Sequence, residues 1–243
     1  MKDLIIITGA SSGLGNDLAK IFLEDGQTVI GISRTNKFKD PNFIFFKYDL
    51  TKPQNLIKSF EAFFKKNEFQ KTYRQVILIN NAATILPINY FHKIKPEEIL
   101  ISCQLNLQTP MMLSHFIINK FMKKAKQVSI CNISSGAADY PIINWSLYCT
   151  MKSGLKMFTQ CLQADYADEK KFKAFSFYPG VMDTQMQKTI RKQSSKNFKN
   201  VEKFRGYKED KKLLAPELVA SKIYDLITSP EKINKTEYNV RDL

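Results

Sequence analysis

Short apolar runs alternate along the chain with segments in which apolar residues recur every three to four positions. The runs are rich in β-branched and aromatic residues and have the length of strands. They lie at residues 3–8, 27–33, 43–48, 75–80, 127–133 and 172–178. Helical periodicity is found at residues 13–26, 53–68, about 96–123 and about 145–168, and a late helix begins at Pro216. The segment after Pro179 has no regular period and is predicted to be irregular.

This order of elements indicates the fold class. Strands with continuous apolar positions, each followed by a helix, are typical of a parallel sheet that is covered on both faces. No internal repeat and no linker interrupts the alternation. The sequence therefore predicts an α/β protein, a single-domain doubly wound parallel sheet over residues 1–243. Its start, MKDLIIITGA, is interpreted as the first strand leading into a glycine motif and not as a signal peptide.

A glycine-rich turn, TGASSGLG, follows the first predicted strand and opens the first helix. Gly9, Gly13 and Gly15 let the backbone turn tightly and approach a pyrophosphate, which the helix N-terminus then stabilises. A glycine turn between a strand and a helix indicates a dinucleotide site. The alternative is a plain tight turn without a ligand.

The second strand ends in GISRTNK, and its last residues bear on which dinucleotide is bound. A site for NAD has an acidic residue here to bind the ribose hydroxyls, whereas this chain has Ser33 and Arg34, followed by Lys37. A guanidinium suits the 2′-phosphate of NADP(H), so NADP(H) is the predicted cofactor. The alternative is that Arg34 lies along a solvated loop. Asp49, after the third strand, is expected at the adenine edge.

Four of the ten tyrosines have a lysine four positions later. These pairs are Tyr48/Lys52, Tyr148/Lys152, Tyr166/Lys170 and Tyr207/Lys211. On a helix this spacing places both side chains on one face, where an ammonium would make the phenol more acidic. A lysine-rich chain produces such pairs by chance, so the spacing alone does not select one of them.

Charge and hydropathy limit the classes of partner. The formal net charge is +14, and residues 188–212 alone carry ten Lys or Arg and three Asp or Glu. Such an excess suggests nucleic acid or an anionic membrane, but no nucleic-acid motif and no interleaved aromatic platform accompanies it. No apolar stretch approaches the ~18 residues of a membrane span. Neither nucleic acid nor a membrane is predicted as a partner.

Cysteine and histidine positions give no indication of a metal site. The four cysteines, at positions 103, 131, 149 and 161, lack metal-ligand spacing and are predicted to be reduced thiols packed in the core of a cytoplasmic protein. His92 and His115 are too few and too far apart for a metal centre. His115 lies in an apolar helical stretch and is predicted to be packed.

Several motifs in order resemble the short-chain dehydrogenase/reductase family over nearly the whole chain. They are TGASSGLG, NNAA at 80–83, LNLQTP with Asn106, NISSG at 132–136, YCTMK at 148–152 and YPGVMDTQM at 178–186. The resemblance implies that Tyr148 is the catalytic tyrosine, because the family places its catalytic serine thirteen residues earlier and Ser135 stands there.

The resemblance also implies how the site works, with Asn106, Ser135, Tyr148 and Lys152 as its catalytic residues. Ser135 and Tyr148 would bond the carbonyl oxygen of the substrate while hydride passes from the nicotinamide and Tyr148 donates its proton. Lys152 would lower the phenol pKa from ~10 by about three units at most and hold the nicotinamide ribose. Asn106 would support a water that leads to Lys152.

The resemblance places further residues at the cofactor, and Ala83 stands where the family usually has glycine. The implied cofactor residues are Gly9, Ser11, Ser12, Gly13, Leu14, Gly15, Arg34, Asp49, Leu50, Asn81, Ala82, Ala83, Tyr148, Lys152, Pro179, Gly180, Val181 and Thr184. Thr184 is expected to contact the carboxamide or the phosphates.

Within the family, WSLYC and PGVMDTQMQ resemble the sepiapterin and bacterial diketone reductases. This implies an NADPH-dependent reductase of vicinal dicarbonyls, although Arg241 stands where sepiapterin reductases have a pterin-binding Asp. Around the substrate we expect Ser135, Tyr148, Trp145 and Met182, with Ile142 and Leu86 in an apolar wall that could equally be core. A basic lid is expected at about 185–213.

Two other functions remain open at this point. The basic lid also suits an anionic substrate or an acidic carrier protein, so a 3-oxoacyl thioester reductase is an enzymatic alternative. A non-catalytic NADP(H)-binding regulator is the alternative of another class, and it is expected to lack one of Ser135, Tyr148 or Lys152. The family resemblance further implies a homodimer or homotetramer formed through the helices at 96–123 and 145–168.

Overall fold

A computed structural model of the protein describes residues 3–67, 69 and 72–243. Parallel strands form one seven-stranded sheet in the order β3-β2-β1-β4-β5-β6-β7. The strands are β1 (Leu4–Thr8), β2 (Thr28–Ser33), β3 (Phe43–Lys47), β4 (Tyr73–Asn80), β5 (Ala125–Ile133), β6 (Phe172–Tyr178) and β7 (Glu237–Asn239). The strand order reverses between β1 and β4, and ligands of such sheets bind in the crevice at the carboxyl ends of the strands at this point.

Helices cover both faces of the sheet. They are α1 (Gly13–Glu24), α2 (Leu56–Lys66), α3 (Pro96–Cys103), α4 (Thr109–Phe121), α5 (Ser146–Asp165), α6 (Gln185–Arg191), α7 (Val201–Glu209) and α8 (Pro216–Ile227). One face packs against α1 and α8, and the other against α2, α4 and α5. The predicted doubly wound parallel sheet is confirmed.

The first strand shows why its sequence is apolar throughout. Successive side chains of a strand point to opposite faces of the sheet. Leu4 and Ile6 pack into the layer of α2 and α4, whereas Ile5 and Ile7 pack into the layer of α1 and α8. All four side chains are fully buried. Covering both faces removes the alternation of polar and apolar residues that a half-exposed strand would show.

Three elements of the structure differ from the prediction by more than a shift of their ends. The helix predicted at 96–123 is α3 and α4, joined by a π-helical turn at Gln104–Gln108. The segment after Pro179 was predicted to be irregular, but it contains α6 and α7. Both helices are short and consist mostly of polar and basic residues, so they show no clear apolar period. Strand β7 was missed because three residues are too few to show a pattern. Residue 68, the predicted end of the second helix, lies outside the described residues.

Two packing predictions were wrong. Cys161 is exposed on α5, and Cys103 and Cys149 are half-buried, so only Cys131 is a core thiol. His115 is exposed on α4, where its ring lies 2.8 Å from the Nδ2 atom of Asn119. A helical period shows that a segment is amphipathic, but one residue at the edge of the apolar stripe can fall on either side.

Searches for membrane spans and metal sites covered only the described part of the chain. Within it, no helix combines the length and the apolar character needed to cross a bilayer. Likewise, residues 3–67, 69 and 72–243 contain no group of three or more His, Cys, Asp or Glu side chains arranged to hold a metal ion.

Phenylalanine rings from several elements meet beneath β3, with Phe60 of α2 at their centre. Phe60 is fully buried, and its ring centroid lies 4.9–5.0 Å from those of Phe46, Phe64 and Phe116. We expect Phe60→Ala to lower the free energy of unfolding by about 3–5 kcal/mol, because it removes buried apolar surface and leaves a cavity.

Urea denaturation followed by circular dichroism measures this loss. The matched control is Phe91→Ala, because the Phe91 side chain is 61% exposed, and it should change stability by less than about 0.5 kcal/mol. Equal losses for the two variants would contradict the described packing.

Candidate active site

The glycine turn between β1 and α1 needs its glycines for two different reasons. Gly9 has φ +71° and Gly13 has φ +50°, backbone conformations that are costly for residues with a Cβ atom. Gly15 has an ordinary conformation, but a Cβ there would overlap the Gly9 carbonyl oxygen and the Asn81 amide. The turn is therefore a narrow cradle in which the backbone itself forms the surface.

The segment after β4 is tied to this cradle through Thr8, the last residue of β1. The Thr8 hydroxyl accepts hydrogen bonds from the backbone N–H groups of Asn81 and Ala82, each at 2.9 Å. The Asn81 side-chain amide donates to the Thr8 carbonyl at 2.9 Å. Residues 8–15 and 81–82, predicted from separate motifs, thus form one continuous wall at the sheet edge.

A second group of predicted cofactor residues meets at the ends of β2 and β3. Arg34 and Asp49 line an open cleft of about 670 Å³ with Lys47, Tyr48 and Lys52, and Gln54 and Asn55 complete it. Hydrogen bonds from Thr51 hold the pKa of Asp49 below its usual value, and the nearby cations Arg34 and Lys52 act in the same direction. The cleft therefore has a cationic character. Lys47 was missed, because as the last residue of β3 it reads as ordinary strand sequence.

Ser135, Tyr148 and Lys152 are brought together at the carboxyl end of β5. Ser135 begins a short 3₁₀ turn (Gly136–Ala138), and its hydroxyl accepts a hydrogen bond from the N–H of Ala137 at 3.2 Å. Tyr148 and Lys152 lie one turn apart near the start of α5, both buried. The Lys152 ammonium donates to the Ile133 carbonyl at 2.6 Å and lies 5.7 Å from the Tyr148 ring centre.

Burial governs the acidity of both groups. It raises the pKa of Tyr148 to about 12, and the neighbouring Ser135 hydroxyl opposes this rise. It lowers the pKa of Lys152 to about 8. The prediction that Lys152 lowers the phenol pKa was wrong. The Lys152 ammonium is directed at a carbonyl oxygen, and the desolvation of Tyr148 outweighs any effect that this ammonium has on the phenol. Tyr148 is therefore fully protonated at neutral pH.

Asn106 lies in the π-helical turn and is almost fully buried. Its side-chain oxygen accepts from the N–H of Thr84, and its amide donates to the Thr84 carbonyl and to Ser102, at 2.9, 2.9 and 3.2 Å. These bonds fasten the loop that follows β4. They occupy the side chain, so a water leading to Lys152 would have to bond the Asn106 backbone. Single π turns are frequent at functional sites.

The other Tyr–Lys pairs lie elsewhere. Tyr48 donates to the Lys52 backbone carbonyl at 3.1 Å, at the cationic cleft. Tyr166 ends α5 and packs on Phe172, with ring centroids 4.7 Å apart. Tyr207 lies on α7, beside Phe204. Tyr148 alone of these four tyrosines lies beside Ser135, as the resemblance implied.

Aromatic residues from the segment predicted as a lid cover the Tyr148 side of the site. Trp145 stacks on Phe198, with ring centroids 5.2 Å apart, and meets the Tyr148 ring edge-on at 5.8 Å. Phe204 packs against both Trp145 and Phe198. Sequence reasoning missed Phe198 and Phe204, whose only signal was their presence as aromatics within a lysine-rich segment.

The other residues that were predicted to line the substrate pocket do not lie together in the structure. Ile142 packs on the aromatic cluster around Trp145. Met182 packs instead with the layer of α1 and α8 and pairs with Leu214, and Leu86 is 47% exposed. The structure therefore places Trp145, but not Met182, in the cluster around Tyr148. Arg241 is exposed near the C-terminus.

The segment after β6 returns to the glycine turn. Gly180 has φ +69°, which lets the chain turn sharply after Pro179. Thr184 caps α6 by accepting from the N–H of Gln187 at 3.4 Å. Its methyl group would lie 3.3 Å from a Cβ built on Gly13. Thr184 therefore lies beside Gly13 of the cradle, and its contact with the cofactor stays a prediction.

Comparison with known proteins agrees with this architecture. A family model described as short chain dehydrogenase matches residues 3–195. A benzil reductase ((S)-benzoin forming) of Bacillus cereus is 37% identical, with 93% of this chain and 94% of the relative covered. A sepiapterin reductase of Xenopus tropicalis is 26% identical over 92% of this chain and 90% of the relative.

A solved structure supports the fold independently. The crystal structure of the KRED1-Pglu enzyme superposes with a TM-score of 0.83 at 25% identity, covering 98% of this chain and 100% of that one. The resemblance inferred from the motifs is confirmed. The chain belongs to the short-chain dehydrogenase family of oxidoreductases.

Proposed function

We propose that the protein is an NADPH-dependent carbonyl reductase that acts on vicinal dicarbonyls, with Tyr148 as the proton donor. The observation that carries this proposal is that Ser135 meets the buried side chains of Tyr148 and Lys152 at the same carboxyl edge of the sheet as the glycine cradle. A regulator that binds the cofactor without catalysis does not need all three of these side chains.

The residues present fit a dinucleotide phosphate. The cradle leaves no room for side chains at Gly15, so backbone N–H groups can approach a pyrophosphate. The cleft with Arg34, Lys47 and Lys52 is large enough and cationic enough for an adenosine carrying a 2′-phosphate. The absence of an acidic residue after Ser33 favours NADPH over NADH. When bound, the reduced cofactor supplies the hydride.

The three catalytic residues would act on the substrate oxygen. Ser135 and Tyr148 donate hydrogen bonds to the carbonyl, which polarises it and orients its carbon. As negative charge develops on that oxygen, Tyr148 transfers its proton; an alkoxide is a much stronger base than a phenolate, so transfer is favourable despite the pKa of about 12. The charged form of Lys152, abundant below its pKa of about 8, stabilises the phenolate that forms.

Two observations favour a dicarbonyl with apolar arms. The first is the benzil reductase relative, at 37% identity over 93% of this chain. The second is the buried cluster of Trp145, Phe198 and Phe204 that packs beside Tyr148 and makes this side of the site apolar; apolar surroundings suit an aryl or alkyl group better than a polar one. Because Arg241 stands where an acidic residue would bind a pterin, sepiapterin is the weaker candidate among dicarbonyls.

A 3-oxoacyl thioester reductase is the second candidate, and charge on the lid favours it. Lys188, Lys192 and Lys203 are among the cations of the segment at 185–213, and such a surface attracts acidic carriers. Both reactions reduce a ketone to an alcohol, but the second carbonyl group is directly adjacent in a vicinal dicarbonyl and one carbon further away in a 3-oxoacyl thioester. Substrate preference distinguishes the two candidates.

We further propose that the protein forms a homodimer or homotetramer through α3, α4 and α5. Large apolar side chains are exposed on these helices: Leu100, Ile101, Met111 and Met157. Such patches are typical of interfaces. Light scattering coupled to gel filtration measures the molecular mass, and a mass near 28.1 kDa at micromolar concentration would argue against association.

The direct test of the function is NADPH oxidation with benzil, 1-phenyl-1,2-propanedione, sepiapterin and an acetoacetyl thioester, with NADH run in parallel. We expect the aryl diketones to give the highest kcat/KM with NADPH. The thioester as best substrate would favour the second candidate. No turnover with any of the four would refute the reductase assignment.

Replacing the proton donor should separate catalysis from binding. In Tyr148→Phe we expect kcat to fall by at least about a hundredfold, because the variant keeps the ring but loses the proton. NADPH affinity, measured by fluorescence titration, should stay within about threefold of the wild type. The matched control is Tyr166→Phe, which removes a phenol with the same lysine spacing outside the site. Retained turnover in Tyr148→Phe would exclude its role as donor.

Arg34→Gln tests the cofactor preference through binding alone. Loss of a charged contact to a phosphate costs about 1.5–3 kcal/mol, so the Kd for NADPH and for 2′,5′-ADP should rise by about ten- to a hundredfold. The Kd for NADH, which lacks the phosphate, should change little. Calorimetric titration measures all three. A parallel weakening of NADH would show that Arg34 contacts another part of the dinucleotide.

A further inference from the structure

A charged cluster forms around a lysine of α5 that lies one turn beyond Lys152. Its centre is Lys156, whose ammonium lies 2.7 Å from Asp139 Oδ1 and 3.0 Å from Glu237 Oε2. The Tyr178 hydroxyl donates toward the same two carboxylates, at 3.3 and 3.1 Å. Gln160 donates to the other oxygen of Glu237 at 2.8 Å. We call these five residues the Lys156 cluster.

The cluster holds the turn that begins with Ser135, which we call the Ser135 turn. Asp139 directly follows that 3₁₀ turn, Gly136–Ala138. The backbone carbonyl of Ala138 accepts a second bond from α5, from the Ser153 hydroxyl at 2.7 Å. Side chains of Ser153 and Lys156, one helical turn apart, therefore fasten the far end of the Ser135 turn to the helix that carries Tyr148.

The Lys156 ammonium at the centre of the cluster offsets the repulsion between two carboxylates. One ammonium is shared by two carboxylates, and its side chain is 25% exposed. The bonds to Asp139, and then to Glu237, raise the pKa of Lys156, so it stays charged at all physiological pH values. Without the cation, Asp139 and Glu237 would face each other as like charges across the Tyr178 hydroxyl, and the simplest relief is movement of Asp139, which is exposed, and of the turn that it follows.

We propose that Lys156 is a positioning residue for catalysis: by holding Asp139 it keeps the Ser135 turn against α5, with the Ser135 hydroxyl beside Tyr148. This inference rests on the proposed carbonyl reductase function for its kinetic consequences. It assigns no contact with substrate or cofactor to Lys156. The same cluster reaches Tyr178, the residue before Pro179, so it also links the segment after β5 to the last residue of β6 and the first residue of β7.

A double-mutant cycle tests whether Lys156 acts through Ser135. Lys156→Met removes the charge and keeps the length of the side chain. Because small misplacements of reacting groups are costly, kcat with an aryl diketone and NADPH should fall by roughly tenfold or more, while the Kd for NADPH stays within about twofold. In a Ser135→Ala background, where the hydroxyl is already absent, Lys156→Met should lower kcat by less than about twofold.

Hydrogen exchange provides a readout that does not depend on activity. The amides of Ala137, Ala138 and Asp139 are bonded within the Ser135 turn, and they should exchange faster in Lys156→Met. Lys156→Arg should restore both the exchange rates and at least half of kcat. The matched control is Lys20→Met, which removes an exposed helical lysine paired with Glu24 and should change neither.

The outcomes separate this inference from the proposed function. An equal fall of kcat in both backgrounds, no fall in the wild-type background, or unchanged exchange of the turn would each overturn the positioning role. If the turn exchanges faster in Lys156→Met but the wild-type protein reduces no dicarbonyl, Lys156 still fastens the turn. The proposed reductase function is then refuted, and the kinetic effect assigned to Lys156 is refuted with it. Should Lys156→Met fail to fold by circular dichroism, Asp139→Asn enters the same cycle with the same expectations.

Discussion

The site depends on the close packing of the first turns of α5 against the carboxyl end of β5. This packing buries a phenol and an ammonium in one place, although both groups prefer water. The ammonium of Lys152 is partly compensated by the Ile133 carbonyl at 2.6 Å. Because Tyr148 and Lys152 are desolvated together, the phenol is kept protonated, and the pKa of the lysine falls to about 8, which leaves the lysine mostly charged at neutral pH.

The parallel sheet brings the other parts to the same edge. Buried polar side chains fix the register there: the Asn80 amide donates to Asn132 at 2.8 Å, and Asn132 donates to Thr159 of α5 at 2.8 Å. This line connects β4, β5 and α5 just below the site. The glycine cradle, the Ser135 turn and the cationic cleft each follow the end of a strand, so residues far apart in sequence meet. Burial leaves such polar side chains few alternative partners, which makes the register specific.

Sequence patterns were sufficient for the fold and for the residues whose motifs have fixed spacing. Continuous apolar strands and the glycine turn depend on local chemistry, and the family motifs select Tyr148 among four similar pairs. These patterns did not show what surrounds each side chain in the folded protein. The pKa of Tyr148 follows from burial and from where the Lys152 ammonium points, and neither is local in sequence. Phe198 and Lys156 were missed for the same reason, since their partners lie in other elements.

The central claim is that burial keeps the Tyr148 phenol in its acid form. It is tested most directly by NMR titration of the protein labelled with ¹³Cζ-tyrosine, with Tyr148→Phe assigning the resonance. The structure predicts that the Tyr148 signal stays at the shift of a protonated phenol to pH 11 and beyond, in keeping with a pKa of about 12. Ionisation at or below the ordinary tyrosine value of ~10 would contradict the account.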